Sequence, residues 1–183
     1  MTEGQDAYLQ WEATLSSPSL GESWTQINAI GIIAGGPDRE EATLGGETSD
    51  IGEFEISVDG GMTWNVQKEN VQNEGNFFFR APSGTSSVLI RAALRDDDVY
   101  EGTEVVMLNI IEHSNDAGIA RPLFTSMATG TIYDDESAPT VDSLTADSTT
   151  VAEEDNTNLS WTLSLNNASA TATTLLLDIS NPG

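Results

Sequence analysis

The sequence predicts an all-β chain, folded as an antiparallel β-sandwich. Three observations predict it. Apolar and polar residues alternate with a period of two in one segment after another, and the apolar positions favour β-branched and aromatic side chains. Gly, Asn, Asp and Ser punctuate those segments at short spacings, as in sandwiches. No stretch carries a capped apolar stripe of helical period.

Each element has its own signal. Tyr8–Leu15 alternates, with Leu9, Trp11, Ala13 and Leu15 on one face. Thr25–Ile32 is the second strand, and the Gly-rich, apolar-poor segment Gly35–Ser49 reads as a long loop. Phe54–Val58 and Thr63–Val66 flank Asp59-Gly60-Gly61, a hairpin turn. Asn76–Arg80 and Val88–Leu94 flank Pro82-Ser83-Gly84. Val105–Ile111 is followed by the turn signal Asn115-Asp116, and Thr129–Tyr133 closes the set.

Asp134-Asp135-Glu136-Ser137-Ala138-Pro139-Thr140 then marks a boundary of small and polar residues with a Pro. Beyond it the sequence begins again. Shifted by 150 positions, Thr2–Ser19 lies over Ala152–Ser169 without a gap. Glu3 meets Glu153, Leu9 meets Leu159, Trp11 meets Trp161, Leu15 meets Leu165 and Ser19 meets Ser169. The identities keep the strand phase, so the expectation is a tandem repeat. Residues 1–136 form the module, 137–149 a linker, and 150–183 the N-terminal fragment of a second, truncated copy.

Charge narrows the function. The 183 residues hold 30 Asp+Glu against 6 Lys+Arg, a formal net charge of −24. Such a chain is a poor partner for the polyanionic backbone of nucleic acid and for anionic membrane surfaces. Hydrophobic residues at 38% argue against disorder. With no Cys, disulfides and thiolate chemistry are excluded. Met1–Trp11 has neither the basic nor the apolar region of a secretory signal, and no apolar run nears the ~20 residues of a membrane span.

The acids are not spread evenly. Asp96, Asp97, Asp98, Glu101 and Glu104 lie within nine positions, Asp134-Asp135-Glu136 follow the last strand, Glu3 precedes the first, and Asp50 ends the long loop. Two carboxylates ~4 Å apart at an effective dielectric of about 20 repel by roughly 4 kcal/mol. A hard divalent cation removes that repulsion, and Ca²⁺ accepts six to eight oxygen ligands in flexible geometry. A single His and no Cys disfavour Zn²⁺ and Cu²⁺. The plain alternative is a solvated acidic loop, or acidity that keeps a halophilic surface hydrated.

Two stretches resemble a known family. Phe79–Ile90 followed by Asp96-Asp97-Asp98-Val99-Tyr100-Glu101-Gly102-Thr103-Glu104, and the closing Gly130-Thr131-Ile132-Tyr133-Asp134-Asp135-Glu136, are similar to the Calx-beta domain, of the type repeated in large RTX-type calcium-dependent bacterial surface adhesins. The resemblance implies an immunoglobulin-like β-sandwich with Ca²⁺ bound at one end. Its acidic ligands would fall on Glu3, Asp50, Asp96, Asp97, Glu101, Glu104, Asp134, Asp135 and Glu136, while Asp98 contributes or faces solvent. Where the family has an aromatic after the loop Asp, this chain has Ile51. Glu153 repeats Glu3 without its partners. The expected function is a non-enzymatic, calcium-binding extender module, extracellular on a bacterial surface and rigidified by Ca²⁺ at its junctions. Its partners would be adjacent modules of the same polypeptide. A glycan or a host or biofilm surface would be met through other domains, with no nucleic acid and no direct membrane insertion. The alternatives are a glycan- or protein-binding module and an accessory domain of a secreted hydrolase.

Other signals have plainer readings. Ser57-Val58-Asp59-Gly60-Gly61-Met62-Thr63-Trp64 fits the Asp-box pattern known from sialidases, and a single box reads as a tied hairpin turn with Trp64 packed beneath it. His113, at the end of a predicted strand, reads as a surface loop residue rather than a triad base. Trp11 and Trp161 fall on alternating apolar faces and read as core, whereas Trp24, between polar neighbours, is the one that could stack on a sugar.

Overall fold

The computed structural model describes residues 1–15, 18–32, 50–67, 76–115, 126–147, 150 and 158–179. Among these, all regular structure is strand: β1 (Tyr8–Thr14), β2 (Ser23–Ile32), β3 (Ile51–Ser57), β4 (Asn65–Gln67), β5 (Asn76–Ala81), β6 (Ser87–Leu94), β7 (Val99–Tyr100), β8 (Thr103–Asn115), β9 (Met127–Tyr133), β10 (Val141–Ala146), β11 (Trp161–Leu165) and β12 (Ala168–Ser169). The predicted loop over Gly35–Ser49, Asp116 of the predicted turn, and Glu153 lie outside the described residues.

Two four-stranded sheets carry the module. One has the order β1-β6-β3-β4 and the other β5-β2-β8-β9, with every neighbouring pair antiparallel. Period two does the sorting. Leu9 and Trp11 of β1, Val88, Ile90 and Ala92 of β6, and Phe77, Phe79 and Ala81 of β5 are buried, while residues between them stay more open. The buried faces share one core, the arrangement of a β-sandwich. Phe54 of the first sheet stacks on Phe77 of the second at 4.8 Å between ring centroids and meets Trp11 at 6.2 Å. On β9, a Cβ at Gly130 would stand 2.8 Å from Trp11 Cζ2 and 2.9 Å from Leu9 Cδ2, so only glycine lets β9 pass behind β1.

The eight predicted strands are all present, with shifts at their ends that have local causes. β4 starts at Asn65, later than predicted, because Thr63 is taken by the preceding turn. The Thr63 amide and hydroxyl donate to Asp59 Oδ1 and Oδ2 at 2.9 and 2.5 Å, and Ser57 Oγ donates to Asp59 Oδ1 at 2.7 Å. Gly60 and Gly61 supply positive φ, so the Asp-box motif is a tied turn here. Trp64 Nε1 reaches the Gly61 carbonyl, but its ring faces the Arg91 guanidinium at 3.9 Å rather than packing wholly beneath the turn.

β8 runs on to Asn115, which corrects the surface-loop reading of His113. The residue lies in the ladder opposite Thr25, half-buried, with Nδ1 2.8 Å from Thr25 Oγ1. Two further expectations change after residue 136. Residues 141–146, inside the expected linker, form β10, which pairs antiparallel with β11. Trp161, expected in a core, is 56% exposed. Its strand belongs to a two-stranded ribbon instead of a four-stranded sheet.

Candidate metal centre

The strand ends gather the acids. Pairing of Ile51 with Leu94 brings the start of β3 beside the end of β6, and pairing of Thr103 with Tyr133 brings the start of β8 beside the end of β9. Asp50, Asp96, Asp97, Glu101, Glu104, Asp134, Asp135 and Glu136 are carried on or next to those four ends. Glu3 joins them because residues 1–3 run parallel to the end of β9: the Glu3 amide donates to the Tyr133 carbonyl at 3.0 Å, and the Tyr133 amide to that of Met1 at 2.8 Å.

Two groups of three result. In Glu3, Asp134 and Glu136, and again in Asp50, Glu101 and Glu104, one oxygen from each carboxylate lies within 4.8 Å of the other two. The remaining predicted ligands flank these groups. Asp96 and Asp135 close over Gly4, where a Cβ would stand 2.8 Å from a carboxylate oxygen of each. Asp97 is exposed and its Oδ1 accepts the Val99 amide at 2.8 Å. Asp98 is exposed and belongs to neither group.

Burial is unusual for carboxylates. Glu104 is 2% exposed, Glu3 5% and Asp50 6%. Glu104 shares the inward phase of Val106 and Leu108 on β8, a position that strand periodicity assigns to the core. Glu136 Oε2 is buried with no hydrogen-bond partner. Asp134 is held from three sides, with Oδ2 accepting the amides of Glu101 (2.5 Å) and Gly102 (2.6 Å) and Oδ1 that of Glu136 (2.8 Å).

The electrostatics follow from this crowding. Burial, reinforced by the charges of Glu101, Asp134, Asp50 and Asp97, pushes the Glu3 carboxyl up to about 8. Burial, then Asp50 and Glu101, pushes Glu104 up to about 8 as well. Glu101 rises to about 7, by burial and then by Asp50 and Asp97. Glu136 rises to about 7, by burial and then by its hydrogen bond with Asp134. The ion pairs Arg80–Glu22 and Arg91–Glu55 lie elsewhere on the sheets. A buried carboxylate is stable only when paired or bound to metal. The two groups offer oxygen donors alone, and they could hold metal ions.

The sequence reading missed two glycines of this end. Gly4 has φ +62° and Gly102 has φ +89°, which places the Gly102 amide on Asp134. The pairs Glu3-Gly4 and Glu101-Gly102, an acid followed by glycine, were the available signal. Away from this end, Trp24 is half-buried beside Phe78, and together with Arg80, Asn65 and Gln67 they line an open groove of about 610 Å³. No family model and no curated protein matches the chain.

Proposed function

We propose that the chain is a calcium-binding structural module, without enzymatic activity, from a long extracellular bacterial surface protein of the adhesin kind. In this reading the sandwich is immunoglobulin-like and of Calx-beta type, and Ca²⁺ at its acid end rigidifies the passage to the next repeat. One observation carries it: two triads of carboxylates, three members nearly devoid of solvent contact, meet at one end of the sandwich with an orphaned oxygen among them. Three carboxylates offer up to six oxygens, which fits the shell of Ca²⁺, while Asp96 and Asp135 stand over the neighbouring Gly4 and the charge of Asp97 acts on Glu3. Mg²⁺ fits less well, because it demands a tighter octahedron and retains water. Repeats linked through such ends project a distal domain away from the cell.

Thermal unfolding of chelator-treated protein tests it. Millimolar Ca²⁺ raises Tm by at least about 10 °C, since an ion that binds only the folded state stabilises it by mass action. Glu104→Ala or Asp134→Ala removes most of that gain. An unchanged melting curve removes the calcium reading.

The groove at Trp24 favours a second reading, a glycan-binding module. Aromatic rings beside amides and a guanidinium suit a polyhydroxylated ligand. A glycan array run with Ca²⁺ separates the two, because a spacer binds nothing on it.

A further inference from the structure

The repeat touches the module through a short strand pairing. β12 lies parallel to β7, with Ala168 opposite Val99 and Ser169 opposite Tyr100, and the Ala170 amide donates to the Tyr100 carbonyl at 3.0 Å. Two asparagines hold the same segment from its other side. Asn167 Nδ2 donates to the Ser137 carbonyl at 2.6 Å, and Asn166 Oδ1 accepts the Thr140 amide at 2.6 Å while the Asn166 amide returns to Thr140 O at 3.1 Å.

A ladder of two residues is too short to hold by itself. It depends on whatever fixes β7, and β7 is fixed by acids. The Val99 amide is tied to Asp97, and the amides of Glu101 and Gly102 are tied to Asp134. Both flanks of the strand therefore hang on carboxylates of the acid end, while its Tyr100 carbonyl meets the repeat.

We propose that β7 is a cation-set latch: an ion bound at the acid end fixes the edge of β7, and the Asn166–Thr171 segment of the following repeat docks on that edge by strand addition. The proposal rests on the reading of the acid end as a Ca²⁺ site. It identifies the part of the joint that the ion controls, and it assigns specificity to the asparagines. The first copy has Ser16, Ser17 and Pro18 where the second has Asn166, Asn167 and Ala168, so the latch is a property of this junction and not of the repeat pattern.

Amide hydrogen exchange at Ala170, followed by NMR on the whole chain, tests the latch beside a calorimetric Ca²⁺ titration. Excess Ca²⁺ over chelator slows Ala170 exchange by at least about tenfold, as expected for a locally closed hydrogen bond. Asn167→Ala, at a half-buried polar side chain outside the acid end, abolishes the slowing and leaves Ca²⁺ uptake unchanged. If Ca²⁺ is taken up but Ala170 exchanges at the same rate, or if Asn167→Ala keeps the protection, the latch is wrong and the calcium site stands. If no Ca²⁺ is taken up, the calcium reading fails and the cation dependence of the latch fails with it.

Discussion

Trp11 and Trp161 coincide when the sequence is shifted by 150 positions, yet one is 7% exposed and the other 56%. The two segments agree in one local feature. Each strand is followed by the same local hydrogen bond, from Ser19 Oγ to the Gly21 carbonyl in the first and from Ser169 Oγ to the Thr171 carbonyl in the second. The surroundings differ. β1 lies on β6 and presses Trp11 against Phe54 and the bare backbone of Gly130. β11 pairs with β10, where Ala146 stands opposite Trp161 across the ladder. A strand's conformation is written in its own residues, whereas its burial is supplied by strands that arrive much later in the chain.

Three measurements break or sharpen that contrast. Trp11→Ala has the largest expected effect, a loss of about 3–5 kcal/mol in urea unfolding, since it empties a packed site between two sheets. The pH profile of the calcium-free protein comes next and reads the acid end that surrounds the start of the first segment. Glu3, Glu101, Glu104 and Glu136 have folded-state values of about 7–8 against an ordinary 4.5. Between those limits the folded chain binds more protons than the unfolded one, so stability falls as pH rises from about 4.5 to 8. The urea midpoint in chelator is accordingly higher at pH 5 than at pH 8.5. Saturating Ca²⁺ removes that slope, because the ion holds the carboxylates ionised. A flat profile in chelator would mean that the acid end is solvated. Trp161→Ala has the smallest effect, within about 0.5 kcal/mol, as for an exposed side chain. A loss equal to that of Trp11→Ala would show that the β10–β11 ribbon has a core of its own.

The eight strands of the module were legible because period two survives in single segments such as Leu9-Gln10-Trp11-Glu12-Ala13. β10 was not, since Val141-Asp142-Ser143-Leu144-Thr145 comes after a Pro-marked boundary and reads as small and polar. β7 was too short to show a period. At the acid end, the clusters could be read along the chain, but their division into two triads could not. That division depends on which strand ends meet, through registers such as Glu104 opposite Ile132 and Ile51 opposite Leu94. Glu104 offered a signal that passed unread: a carboxylate in phase with Val106 and Leu108 is bound inward. Gly4 offered less, because its role appears only when Asp96 and Asp135 arrive from distant segments.

The parallel run of residues 1–3 along the end of β9 also has a mechanical meaning. Tension carried by the polypeptide pulls Met1 one way and the stretch past Glu136 the other. The bonds from Met1 N to Thr131 O, from Tyr133 N to Met1 O and from Glu3 N to Tyr133 O lie across that pull and are strained together, in shear, instead of being unzipped one by one. Glu3 sits on one side of the sliding plane, and Asp134 and Glu136 on the other. An ion among them would act as a rivet through it, so the force needed to open the module would depend on dissolved calcium.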